Sequence, residues 1–300
     1  MPQSSIYSED KSKLLRPQKS SFPLRGSLFK IAIRRIIFWY KLVRACRGLD
    51  KGSILNLYTS AFFDVQGLFV NKKLTNPTFR KSGFYQIRPF GFKVFARGGT
   101  EDLYYASPKR ERIVTNFVRA NLKKGDIFVD VGANIGYYAL LGSLLVGATG
   151  TVIAVEPVPE TVKVLRLNLK LNNARNIKVI DKAAWNKKEK LLIEMPQGFF
   201  GLASGVINYT EAKSMFQVAG VPMDEVLEPY SLVKIIKIDV EGAELYVLRG
   251  LRKTLPKTAN VVLEASTERE KIVEMLTSFG FTCQRVGVTD YLICSNKSLN

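Results

Sequence analysis

The chain has 300 residues, 46% of them hydrophobic, enough to bury the core of one large domain or of a domain with an appendage. It contains no histidine, which excludes His-dependent catalysis, and its three cysteines, Cys46, Cys283 and Cys294, lack metal-ligand spacing, so no metal site is expected. The net charge of +19 is unevenly placed: residues 1–125 hold 25 Lys and Arg against 7 Asp and Glu, whereas residues 126–300 hold 20 against 19.

That asymmetry divides the chain into a basic opening region drawn to polyanions, either phospholipid headgroups or nucleic acid, and a near-neutral working domain. Residues 1–22 are polar and read as a disordered tail without the features of a secretory signal, which points to the cytoplasm. A basic extension follows over 23–83. Within it "SLFKIAIRRIIFWYKLVRAC", Ser27 to Cys46, gathers Leu28, Ile31, Ala32, Phe38, Trp39 and Leu42 on one side of a helix and Lys30, Arg34, Lys41 and Arg44 on the other. Six Lys and Arg between residues 30 and 47 argue against a span. The helix either lies on an anionic membrane surface, peripheral on its inner face, or packs its apolar side on the protein's own core. Arg35 intrudes on that side.

The working domain is placed at 84–300. "FYQIRPFGFKVFAR", Phe84 to Arg97, alternates as a short hairpin, and a helix is expected with Ser107 as N-cap and Pro108 in its first turn. From Gly125 onward "IFVDV", "TVIAVE", "IKVI", "VKIIKID" and "VVLEAS" read as buried strands, and segments starting at Tyr137, Thr161, Ala243 and Thr267 as helices. Strands alternating with helices make a doubly wound parallel sheet, whose ligands sit outside the carboxyl ends of the strands. Cys283 and Cys294 are either half-buried strand residues, the expected case for reduced thiols, or partners across a terminal hairpin.

Acidic groups stand at those strand ends: Asp130, Glu156, Asp181, Asp239 with Glu241, and Glu264. In "DVGANIG" the order is Gly132-x-Asn134-x-Gly136 with a carboxylate ahead of the first glycine, which departs from the dinucleotide fingerprint. Asp130 repels a pyrophosphate and suits an ammonium or sulfonium group. Glu156 is placed to accept from the hydroxyls of a ribose, and Asp181 from an adenine amino group. A cationic methionine part, a ribose and an adenine in that order make S-adenosylmethionine the expected cofactor, and the glycines are expected to let it approach the backbone.

The succession "DVGANIGYYAL", "VIAVEP", "NLKLNN", "KVIDKAAWN", "MDEVL", "IIKIDVEGAELYVLRGL", "NVVLEAS" and "GFTCQRV" resembles the FkbM-family methyltransferases over roughly Gly99 to Asn296. The resemblance implies a Rossmann-like class I S-adenosylmethionine-dependent methyltransferase fold, with the cofactor held by Asp130, Gly132, Ala133, Asn134, Gly136, Glu156 and Asp181. It also implies a hydroxyl acceptor on a sugar, a glycolipid or another small glycosylated compound. Met223-Asp224 stands where the family usually has Leu-Asp, and the basic extension lies outside the common pattern.

Methyl transfer to an alcohol needs in-line alignment and a proton acceptor. Asp239 and Glu241, at the end of the fourth strand, are the expected catalytic pair: Asp239 fixes the cofactor's amino-acid portion or the acceptor, and Glu241 assists proton removal, with exchanged roles or a helix-capping Glu241 as alternatives. The glycine-rich segment 196–221 is either a cover for the acceptor, lined by Phe199, Phe200 and Ser204, or a hairpin that widens the sheet. Two other functions compete. RNA is the acceptor if the basic region holds phosphates, although no RNA-binding module is recognisable; a non-catalytic cofactor-binding module is disfavoured by the intact carboxylates.

Overall fold

The computed structural model describes residues 28–70, 76–105, 111–194, 204–205, 215–265, 267–287 and 289–299. The chain opens with helix α1 (Leu28–Ala45), strand β1 (Cys46–Gly48), helix α2 (Lys51–Val70), strands β2 (Gly83–Ile87) and β3 (Lys93–Ala96), and helices α3 (Asp102–Tyr105) and α4 (Arg112–Asn121). It continues through β4 (Ile127–Val131), α5 (Tyr137–Val146), β5 (Thr151–Val155), α6 (Pro159–Leu171), β6 (Ile177–Ile180), β7 (Ala183–Trp185), β8 (Lys190–Glu194), β9 (Ser204–Gly205) and β10 (Met215–Pro222). The last third comprises α7 (Met223–Val226), β11 (Val233–Ile238), α8 (Glu244–Arg249), β12 (Thr258–Glu264), α9 (Arg269–Ser278), β13 (Phe281–Arg285) and β14 (Tyr291–Asn296).

Seven strands form the main sheet in the order β13-β14-β12-β11-β4-β5-β6, with β6, β5, β4, β11 and β12 parallel and β14 antiparallel to both its neighbours. Successive residues of each central strand enter opposite cores. Phe128, Val152, Ile235 and Val262 pack on one side, Val129, Ile153, Ile236 and Leu263 on the other. Burial of both faces is why these strands are unbroken apolar runs in the sequence. The chain walks outward from β4 to β6 and returns on the far side at β11, so the order reverses between β4 and β11. At such a reversal the connecting segments diverge and leave a crevice at the carboxyl ends.

The hairpin expected over 84–97 is β2–β3, and β1 adds to it to make a three-stranded antiparallel sheet. Two asparagines one turn apart on α6 pair with its free edge. Asn172 accepts from the Lys93 N–H at 2.7 Å and donates to the Lys93 carbonyl at 2.6 Å, while Asn168 accepts from the Phe95 N–H at 2.6 Å. Four residues of helix rise about 6 Å and two of strand about 6.7 Å, so i and i+4 amides can serve alternate strand residues.

Of the two readings of α1, its apolar side packs on the protein's own core: Ala32, Trp39 and Leu42 are buried, and Phe38 packs there too. Arg35 is accommodated there by Asp64 of α2, at 2.6 Å, which also accepts from the Trp39 indole N–H at 2.7 Å. Helix α2 has no counterpart in the expected elements, because the residues it buries include Ser53, Asn56 and Ser60. These polar groups are used by the backbone leading into the small sheet. Asn56 donates to the Lys81 carbonyl and the Tyr85 hydroxyl, Ser60 accepts from the Arg80 N–H, and Ser53 accepts from the Phe84 N–H.

Cys283 and Cys294 face each other in the register of β13 and β14 and are joined as a disulfide, so they are not two separate reduced strand residues. Strands β7, β10, β8 and β9 build a second sheet of their own. Ser204 opens β9, and Phe199 and Phe200 lie outside the described residues. The tail 1–22 and the expected cap Ser107-Pro108 lie outside them too; α4 begins at Arg112, behind Glu111 in a left-handed conformation with φ 43°.

Candidate active site

The crevice beside β4 opens on the turn between β4 and α5. Gly132, Asn134 and Gly136 all have positive φ, at 79°, 48° and 97°. The two glycines are required by the protein's own packing. A Cβ on Gly132 would stand 1.8 Å from the Asp239 carbonyl oxygen, and one on Gly136 would stand 2.6 Å from Leu165 Cδ1. The β11 turn and α6 thus occupy the positions that side chains at these two residues would take. The N–H groups of Gly132 and Ala133 both donate to the Val155 carbonyl at 2.9 Å. These residues shape the turn, and the polar groups left to meet a ligand belong to its side chains.

Asp130 is 1% exposed and neither of its oxygens is hydrogen-bonded; the Lys237 ammonium stands 3.7 Å away, within ion-pairing range. Burial pushes its pKa up to about 6, with Lys237 opposing and Asp239 adding to the rise. The Asn134 side-chain oxygen is likewise buried without a partner. Glu156 is buried and latches the turn by accepting from the Asn134 N–H at 2.9 Å and the Val158 N–H at 3.0 Å. Burial carries its pKa to about 7 against those two bonds and the charge of Arg97. Each of its oxygens retains a second lone pair. Asp181 stands apart from this group, exposed at the end of β6 and 3.5 Å from the Arg166 guanidinium.

Across the crevice, Lys237 is fully enclosed between two carboxylates. Its ammonium donates to Asp239 at 3.2 Å, pairs with Asp130, and sits 4.9 Å from the centre of the Tyr138 ring. Burial works against its charge, but Asp239, Asp130 and Glu111 outweigh burial and hold its pKa above the usual lysine value. Asp239 stands beside Glu264 at the end of the neighbouring strand β12, where the two like charges repel. Glu264 is raised to about 7 by burial first, then by Asp239 and Glu111. Glu111 closes the ring by accepting from the Tyr138 hydroxyl at 2.8 Å.

Asp130, Asn134, Glu156 and Asp239 thus meet around one crevice, while Glu241 is exposed in a left-handed turn with φ 52°. Glu244, the first residue of α8, accepts from the Gly242 N–H at 3.0 Å, and the N-cap position is held by Ala243. Lys237, Glu111 and Tyr138 are additions to the expected set. Lys237 left a signal in the sequence: a lysine inside a strand buried on both faces must find an anion, and Asp239 follows two residues later on the same side. Glu111 left none, because its place depends on how α4 packs. Among the described residues no group of His, Cys, Asp and Glu is arranged to hold a metal ion.

A mostly parallel sheet flanked by helices, with a buried carboxylate at its reversal point, defines an α/β protein of the doubly wound class, whose ligands sit at the carboxyl ends of the strands. The profile described as the methyltransferase FkbM domain matches residues 130–285, just over half of the chain, and the chain belongs to that family. S-adenosylmethionine is the cofactor that this membership brings. The site fits it on its own terms, since Asp130 and Asn134 offer buried acceptor oxygens that no hydrogen bond occupies.

Two curated relatives are similar over shorter stretches. A "Probable cobalt-precorrin-6B C(15)-methyltransferase (decarboxylating)" of Sulfolobus acidocaldarius is 33% identical over 93 residues, 31% of this chain and 48% of that protein. A "Protein-L-isoaspartate O-methyltransferase" of Methanothrix thermoacetophila is 38% identical over 60 residues, 20% of this chain and 29% of that protein. The chain thus spans half or less of the length of these relatives. The solved methyltransferase FkbM of Methylobacillus flagellatus KT aligns over 88% of this chain and 60% of its own, at 18% identity and a TM-score of 0.43.

Proposed function

We propose that the chain is a class I O-methyltransferase that moves the methyl group of S-adenosylmethionine to a hydroxyl of a sugar, glycolipid or other small glycosylated acceptor. The observation that carries this reading is the Asp239–Glu264 carboxyl pair, set beside Lys237 at the ends of adjacent parallel strands and across from the glycine turn. When bound, S-adenosylmethionine supplies an electrophilic methyl on a sulfonium. Asp130 and Asn134 hold its cationic amino-acid part, Glu156 the ribose hydroxyls through its remaining lone pairs, and Asp181 the adenine amino group from the outer end of β6.

An alcohol is a weak nucleophile until its proton begins to leave. The Asp239–Glu264 pair titrates near 7 at Glu264, so it can take a proton at neutral pH and release it afterwards. With Glu264 ionised, the hydroxyl proton passes to its carboxylate as the oxygen attacks the methyl carbon, and Lys237, hydrogen-bonded to Asp239, offsets the negative charge gathered there. The proton-removing role expected of Glu241 therefore passes to Glu264. Exposed at the crevice mouth, Glu241 is left to meet the acceptor.

Calorimetric titration of S-adenosylmethionine into wild type, Glu156→Ala and Asp130→Asn tests the cofactor site, with weaker binding expected in both variants. Asp239→Asn and Glu264→Gln enzymes are expected to bind the cofactor yet transfer labelled methyl to glycan hydroxyls about 100-fold more slowly. Normal turnover in both would sink the base assignment, and no cofactor binding by folded wild type would sink the reading.

A further inference from the structure

Twelve of the fifteen large hydrophobic side chains exposed among the described residues lie between Ile33 and Val70. They are not scattered, because α2 buries Leu57 and Leu68 beside three polar groups and turns most of its large apolar side chains outward. Its inward side carries Ser53, Asn56 and Ser60, at 3%, 6% and 1% exposure, and its outward side carries Ile54, Leu55, Tyr58, Phe62, Phe69 and Val70, with Leu55 at 65% and Phe62 at 62%. At about 100° per residue those outward groups sweep roughly half the helix circumference. On α1, Ile33, Ile36, Ile37 and Tyr40 are also exposed, beside the buried face already described. A groove of about 520 Å³ between the helices, lined by Ile36, Tyr40, Ala61, Phe62 and Val65 among others, joins the two surfaces.

Charge flanks this apolar sheet on one side. Stepping round α1, the exposed isoleucines give way directly to Lys30, Arg34, Lys41 and Arg44, all exposed, with Arg47 and Lys51 following between the helices. The two acids of the hairpin are already engaged, Asp64 by Arg35 and Trp39, and Asp50 by the Ser53 N–H and hydroxyl. The 27 residues ahead of α1 add Lys11, Lys13, Arg16, Lys19 and Arg25 against Glu9 and Asp10. Apolar groups with long cations at their border match the depth profile of a lipid leaflet, acyl chains below and phosphates above.

We infer that the outer face of the α1–α2 hairpin docks in the plane of a membrane, on anionic phospholipid. No helix of the described residues is long and apolar enough to cross one. A second copy is a poor occupant because it would bring two basic borders together, and the preceding tail is too polar to cover Leu55 and Phe62. Nucleic acid would use the cations but leave Ile33, Ile36, Ile54 and Leu55 in water, since aliphatic groups give bases nothing to stack on. The inference goes beyond the proposed reaction and does not depend on it.

Sedimentation of the full chain with phosphatidylcholine vesicles, with and without phosphatidylglycerol, tests it. Wild type is expected to partition at least about tenfold better onto the anionic vesicles. A Leu55→Ser/Phe62→Ser/Phe69→Ser variant is expected to lose that binding about tenfold or more, and Arg34→Glu/Lys41→Glu to lose the preference for phosphatidylglycerol. Both keep wild-type circular dichroism and S-adenosylmethionine affinity, because no substituted group touches the crevice. Absence of wild-type binding, unchanged binding by the triple variant, or dimers that the triple variant dissolves without any vesicle association would each overturn the inference. Salt-sensitive RNA binding that the triple variant loses, with no vesicle binding, would overturn it in favour of nucleic acid. Vesicle binding by a chain that transfers no methyl group would sustain this inference and defeat the proposed activity alone.

Discussion

The main sheet and the helical hairpin use polar and apolar residues in opposite ways. Around β4, β11 and β12 the strands bury isoleucine and valine on both faces and keep their few charges for one end, where Asp130, Lys237, Asp239 and Glu264 compensate one another. In α2 the inward groups include Ser53, Asn56 and Ser60 beside Leu57 and Leu68, and most of the large hydrocarbons face out. The hairpin teaches that a helix can be specified by hydrogen bonds on its inner side while its outer side is left apolar and exposed.

The comparison is broken most forcefully at Lys237. Lys237→Met leaves two enclosed carboxylates without their cation and is expected to lower unfolding free energy by about 3–5 kcal/mol in a denaturant titration. Adding Asp130→Asn should recover part of the loss, and full additivity would show that the two groups do not interact. Next in size is Leu57→Ala, on the buried side of α2, which removes core contacts worth about 2–4 kcal/mol and lowers the melting temperature.

A pH series sharpens the contrast from the other side. Asp130, Glu156 and Glu264 are raised to about 6, 7 and 7, so between roughly pH 4 and 7 the folded chain holds protons that the unfolded chain has released. Their contribution makes stability fall as pH rises through that window and level off above it. Glu156→Gln should flatten the slope measured by chemical denaturation between pH 5 and 8; an unaltered slope would mean that Glu156 does not hold its proton. The smallest effect is expected two residues from the buried leucine. Leu55→Ser should change stability by no more than about 0.5 kcal/mol, and a loss comparable to that of Leu57→Ala would show that the outer face is packed after all.

Much of the sheet was legible because double-sided burial writes itself as unbroken apolar runs: residues 127–131, 151–155 and 233–238 were all recognisable as strands. The acids at their ends were legible for the same reason, since a strand end locates its next residue. Helix α2 was not, because periodicity is read on the assumption that the apolar side faces inward. Glu264 stood among the strand-end acids, but its place beside Asp239 depends on β12 lying beside β11, a fact of strand order that spacing alone does not carry. The glycines of the turn were found but explained differently: Gly132 is needed where the Asp239 carbonyl presses on it.

The asparagine pair on α6 has a consequence for how copies of this protein behave together. Strand β3 is the last in its small sheet, and an unpaired edge ordinarily invites another chain to add a strand. Asn168 and Asn172 occupy the main-chain groups of Lys93 and Phe95 that such an addition would need. The amides act as a two-residue counterfeit of a neighbouring strand, so the sheet ends there and offers no template for polymerisation.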